Sequence, residues 1–226
     1  MPDITTWLME RGVSGDILLV LTFVPIIVTL TSFSRYITGI KTFGIYASMV
    51  LALAYYYMGF IQGFSITILV VISSWIIRNI LRKARLHYLS RLAIVYCTIS
   101  IFVLGFIVAM SYLPTDNPYL DFRNIPFLPL AMIISVTDRF MASYIKKDLM
   151  TAGRLTGETL LISLLGWGIM RWEPTNTFLT GNLWIIPVLI IINIMIGQFA
   201  GFRWTEFIRF SQVLRNVESP ENTTKK

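Results

Sequence analysis

Seven long apolar runs, separated by short polar stretches, follow one another along the chain. They cover about residues 17–33, 43–60, 61–80, 92–113, 125–145, 155–170 and 183–200. Each approaches the length needed to cross about 30 Å of hydrocarbon as a helix. The runs are continuous in their hydrophobicity, whereas the strands of a membrane barrel would alternate. The pattern therefore predicts an all-α, polytopic membrane protein of seven transmembrane helices. Pro25 predicts a kink in the first span, and the turn at 59–63 is so short that spans two and three must form a tight antiparallel pair. The stretch 114–124 is rich in Pro, Asp and Asn, which favour turns over regular structure. Pro126 and Pro129 stand in the first turns of span five.

The basic residues give this frame a direction. Of the 19 Lys and Arg residues, all but Arg11, Arg123 and Arg171 follow spans one, three, five or seven. Arg35 and Lys41 follow the first; Arg78, Arg82, Lys83, Arg85 and Arg91 the third; Arg139, Lys146, Lys147 and Arg154 the fifth. Arg203, Arg209, Arg215, Lys225 and Lys226 follow the seventh. Under the positive-inside rule the N-terminus lies outside and the C-terminus in the cytoplasm. The division expected is an external tail at 1–15, a helical bundle at 16–201, an amphipathic interfacial segment at 202–214 and a disordered cytoplasmic tail at 215–226. Residues 1–15 lack the basic start of a cleaved signal peptide, so span one is expected to be an uncleaved anchor. Tryptophans agree with the frame: Trp7, Trp172 and Trp184 fall at the outer interface, Trp75 and Trp204 near the inner one.

Composition narrows the chemistry. At 55% hydrophobic and 14% charged, the chain belongs with integral membrane proteins. Its net charge of +7 sits on cytoplasmic loops that face anionic lipid, so a membrane-lipid partner explains it and a nucleic-acid partner is not implied. Cys97 and His87 are the only residues of their kind, which excludes an intramolecular disulfide, a Cys-based metal site and bis-His haem ligation. No cofactor is implied. The serines in the spans have no histidine in the bilayer to activate them, and every lysine lies outside the apolar runs. No enzyme mechanism follows from the residues.

The ionisable groups that remain near the spans gather at the cytoplasmic end. Asp138 and Arg139 interrupt span five, and Glu158 stands one turn beyond Arg154 at an i,i+4 spacing that allows an ion pair. After span seven, Arg203, Glu206 and Arg209 recur every three residues as a charged stripe, with Trp204, Phe207, Ile208 and Phe210 supplying an apolar face. Two readings stand side by side. The charges are interfacial ion pairs that fix helix ends, or Lys41, Asp138, Arg139, Glu158, Arg203, Glu206 and Arg209 form a polar network or transport site open to the cytoplasm.

Three stretches carry a resemblance: Gly39-Ile40-Lys41-Thr42-Phe43-Gly44, Thr137-Asp138-Arg139-Phe140, and the polar-aromatic run from Gly201 to Phe210. Arg91-Leu92-Ala93 at the start of span four also fits. Over about residues 19–214 the chain resembles the bacterial seven-transmembrane domain family usually fused to a degenerate, inactive transglutaminase-like domain. The resemblance implies a bacterial inner-membrane anchor or transducer, associated with ATP-grasp peptide-ligase systems, and supplies no catalytic residues. It departs from the pattern in one respect. The transglutaminase-like domain expected ahead of span one is missing, so a separate polypeptide or a stand-alone variant is implied.

The resulting expectation is a non-enzymatic membrane subunit that docks other proteins, with Arg78, Arg82, Lys83 and Arg85 as its candidate cytoplasmic contacts. A small transporter or channel built on the polar network is the alternative. An accessory subunit of a larger membrane complex is the third.

Overall fold

A backbone surrounded by hydrocarbon satisfies its N–H and C=O groups internally as helix. Helix is the only regular structure among the described residues. The computed structural model describes residues 4–81, 87–112, 122, 125–146 and 149–198. In chain order the elements are α1 (Ile4–Glu10), α2 (Gly15–Phe33), α3 (Ile45–Met58), α4 (Phe60–Leu81) and α5 (Tyr88–Ser111). Then follow α6 (Phe127–Lys146), α7 (Leu149–Arg171), α8 (Glu173–Gly181) and α9 (Ile185–Gln198). Helices α2 to α7 and α9 coincide with the seven apolar runs. The short helices α1 and α8 were not legible in the hydrophobic pattern. Among the described residues three segments are long and apolar enough to cross a membrane, Gly15–Thr38, Phe60–Leu81 and Leu89–Ser111, as in a multi-pass membrane protein.

Helix α3 forms the centre. It packs against α2, α4, α6 and α7. Ala47, Leu51, Ala52, Ala54 and Tyr55 are all buried along it. Its 14 residues rise only about 21 Å, short of the hydrocarbon thickness. Protein rather than lipid surrounds most of its sides, so its ends need not reach both interfaces. The larger core joins α3 to α4, α5, α6 and α7 through Val70, Ile99, Ile133, Val136, Phe140 and Ala152. A second cluster joins it to α2 through Leu19, Phe23 and Ile27.

A single residue, Gly59, connects α3 to α4, tighter than the five-residue turn the sequence suggested. Its φ of +92° is a conformation that side-chain-bearing residues rarely adopt. Four residues on, a Cβ at Gly63 would stand 2.6 Å from the Tyr55 ring, so the close approach of the two helices depends on its absence. Across that seam the Tyr55 hydroxyl and Thr67 Oγ1 lie 3.1 Å apart.

Several hydroxyls within the helices are met locally. Thr22, Thr31, Thr67, Ser74, Thr156 and Thr159 each donate to the carbonyl four residues earlier. This back-bonding lets a Ser or Thr sit in an apolar helix without an unsatisfied donor. Thr29 donates to the Pro25 carbonyl, the acceptor beside the proline inside α2. Thr29 also accepts from Asn193 Nδ2 at 2.6 Å, which ties α9 to α2.

Candidate functional site

Helix α2 does not stop as an ordinary helix. It widens into a π-helical turn, Ser34–Thr38, and ends at Gly39 in the left-handed region, φ +76°. The chain then crosses the end of the bundle as the short segment 39–44 before α3 begins. Such a segment carries backbone N–H groups that need acceptors away from water. Helix α7 supplies them. The Lys41 N–H donates to Glu158 Oε2 at 2.7 Å, and the Phe43 N–H donates to Thr159 Oγ1 at 3.1 Å. The Phe43 ring meets Phe140 of α6 edge to face, with centroids 4.7 Å apart. One connecting segment is thus fastened to both α6 and α7.

Glu158 has two partners. Oε1 accepts from Arg154 Nε at 2.7 Å, the i,i+4 pair that the spacing allowed. Its side chain is only 17% exposed and that of Arg154 is 80% exposed, so the acid lies under the base. Beside this pair opens a cleft of about 750 Å³ lined by Gly39, Lys41, Met150, Thr151, Arg154, Leu155 and Glu158.

Deeper in the bundle the polar groups continue. Ser163 Oγ donates to the Thr159 carbonyl at 2.8 Å and lies 3.2 Å from the Ser48 carbonyl of α3. Ser48 Oγ and Thr137 Oγ1 are buried without a partner among the described residues.

Asp138 and Arg139 occupy a different seam. The Arg139 guanidinium lies over the Tyr46 ring, 5.7 Å from its centroid. Asp138 is within electrostatic reach of Tyr96 on α5. Neither residue lines the Glu158 cleft. The structure therefore joins Lys41, Arg154 and Glu158, and sets Asp138 and Arg139 apart from that cleft. Arg78 lies in the last turn of α4. Arg82, Lys83 and Arg85, with Arg203, Glu206 and Arg209, fall outside the described residues, as do the segment 202–214 and the tail 215–226.

Several contributors to this region escaped the sequence reading. Thr159, Phe43 and Phe140 lie inside or beside stretches that it marked, so proximity in sequence was the available signal. Tyr46 and Thr151 had none, because only tertiary packing brings them to the charged residues. At the opposite end of the bundle, Tyr57, Gly59, Phe60, Trp167 and Arg171 are among the residues lining a second hollow of about 500 Å³. Phe60 and Trp167 pack there with centroids 4.8 Å apart, and the Arg171 guanidinium lies 5.8 Å from the Trp167 centroid. Among the described residues, no group of three or more His, Cys, Asp or Glu side chains could hold a metal ion.

Comparison with known protein families gives a match over most of the chain. The model of a family described as 7 transmembrane helices usually fused to an inactive transglutaminase matches residues 13–214. No curated protein and no solved structure matches. Two of the three stretches singled out in the sequence meet in the fold, through Phe43 and Phe140.

Proposed function

The chain belongs to this family of seven transmembrane helices usually fused to an inactive transglutaminase, and from that membership we propose that it is a non-enzymatic membrane anchor or transducer for partner proteins. The observation that carries the proposal is the family's usual architecture, a helical bundle joined to a domain that has lost catalysis. A membrane module of that kind serves by holding and positioning. The contacts of Glu158 support the same reading. The acid placed best for chemistry is committed to the Lys41 N–H and to Arg154, a fastening of the 39–44 segment.

In this proposal α2 to α7 and α9 are the seven spans, in a bacterial cytoplasmic membrane, with the N-terminus outside and the C-terminus inside. The division into 1–15, 16–201, 202–214 and 215–226 belongs to it. So do cytoplasmic docking through Arg78, Arg82, Lys83, Arg85 and the segment 202–214, and a link to an ATP-grasp peptide-ligase system. The charge asymmetry supports the orientation. In a Cys97→Ser background, Trp7→Cys is expected to react with an impermeant maleimide in intact cells, and His87→Cys only in inverted vesicles. The reverse pattern would sink the orientation. Charge reversal at Arg82, Lys83 and Arg85 is expected to release a cytoplasmic partner while the protein stays inserted. Unaltered retention would remove that docking surface.

A second reading, a small transporter, has the Glu158 cleft in its favour. It requires the folded Asp138→Asn, Glu158→Gln double variant to lose substrate or proton flux in vesicles. Unchanged flux removes it.

A further inference from the structure

Two cationic side chains, Lys41 and Arg154, come to the one cleft, and the acid beside them does not use up both. Glu158 receives the backbone N–H of Lys41, not its ammonium, and takes a single N–H of Arg154 through Nε. Among the described residues Lys41 is in no ion pair. A guanidinium has five N–H donors, and the Arg154 side chain is 80% exposed, so the others remain open to a ligand. Thr151 adds a hydroxyl to the same wall. Two positive charges and one negative leave the cleft a single positive charge, matched to the single negative charge of a phosphodiester.

The apolar side of the cleft argues for where that phosphate comes from. Met150 is 86% exposed beside the cations, and Leu155 lines the same hollow. Phe33 and Tyr36 are exposed at this end of the bundle as well. A soluble ester has no use for such a flank, whereas a lipid headgroup is followed by acyl chains. The cleft also lies at helix ends, by the N-terminal turns of α7 and the exit of α2, the level at which headgroups lie in a multi-pass protein. We propose that the Lys41–Arg154 cleft binds the phosphodiester headgroup of an anionic membrane lipid. Lys41, Arg154 and Thr151 contact the phosphate, and the exposed Met150 contacts the start of an acyl chain. Glu158 orients Arg154 by holding its Nε edge. The proposal needs the membrane location alone and does not rest on the anchor reading.

The test uses the full chain in mild detergent, with lipid occupancy read by native mass spectrometry. Phosphatidylglycerol, phosphatidylcholine and soluble glycerol 3-phosphate are titrated separately. Phosphatidylglycerol is expected to occupy the protein several times more readily than phosphatidylcholine, whose own ammonium would approach Lys41 and Arg154. The Lys41→Gln, Arg154→Gln double variant is expected to lose about thirtyfold in phosphatidylglycerol affinity, about fivefold per charge. Lys41→Gln alone keeps the backbone N–H that holds Glu158, so the fivefold loss remains readable if the double variant does not fold. Arg171→Gln, at the other end of the bundle, is expected to leave occupancy unchanged. Equal occupancy by the two lipids, or no loss in either Lys41 variant, would overturn the proposal. Glycerol 3-phosphate binding as tightly as the lipid would overturn the membrane source and assign the cleft to a soluble phosphate ester.

Discussion

Helices α3 and α9 have the same length, 14 residues, and both are apolar, yet they occupy opposite environments. Helix α3 carries Ala47, Ala52, Ala54, Ser48 and Tyr55 and is buried along most of its length. Helix α9 is almost wholly aliphatic, and Ile196 is its only buried residue among those described. Helix α2 is its main neighbour. In water the more aliphatic helix would be the more buried. In a bilayer, lipid tails solvate isoleucine as well as a protein interior does, so apolarity gives no reason to be inside. Close packing does. Small residues let backbones approach, and hydroxyls find protein acceptors there.

That contrast can be broken by substitution, with stability followed as the midpoint of SDS-driven unfolding in mixed micelles. Tyr55→Ala should have the largest effect, about 4 kcal/mol, because it empties a fully buried aromatic site and removes the partner of Thr67. Gly63→Ala should follow at about 2 kcal/mol, since its Cβ meets the Tyr55 ring at 2.6 Å. On α9 the effects should be small. Asn193→Ala gives up the bond to Thr29, worth about 0.6 kcal/mol for a bond between membrane helices. Ile191→Ala, at a site 58% exposed, should stay within about 0.5 kcal/mol. An Ile191→Ala effect as large as that of Gly63→Ala would mean that α9 is packed against protein where this structure leaves it open.

The same physics explains what the sequence made legible. Apolar runs found the long helices because a membrane requires continuous hydrophobicity from each of them. Helices α1 and α8 were missed because helices of seven and nine residues owe nothing to that requirement. The guanidinium of Arg11, just past the end of α1, lies over Trp7, 4.2 Å from the ring centroid, a contact with no periodic signature. The Arg154–Glu158 pair was readable because helix geometry alone sets an i,i+4 contact. Its attachment to Lys41 was not, since that partner is a backbone N–H 117 positions away. Likewise, Asp138 and Glu158 sit at neighbouring places in the charge pattern, and only tertiary packing assigns Asp138 and Arg139 to the seam near Tyr46 and Tyr96. Hydropathy reports what faces lipid and says little about which polar groups face each other.

The most direct measurement on the proposed role is native purification from the source membrane in mild detergent, with the mass of the particle and its companion chains determined. A particle larger than the 25.9 kDa chain, with a defined stoichiometry and a reproducible second polypeptide, is the expected result for an anchor or transducer. A solitary monomer or a homo-oligomer with no companion would contradict it and leave the transporter reading in its place.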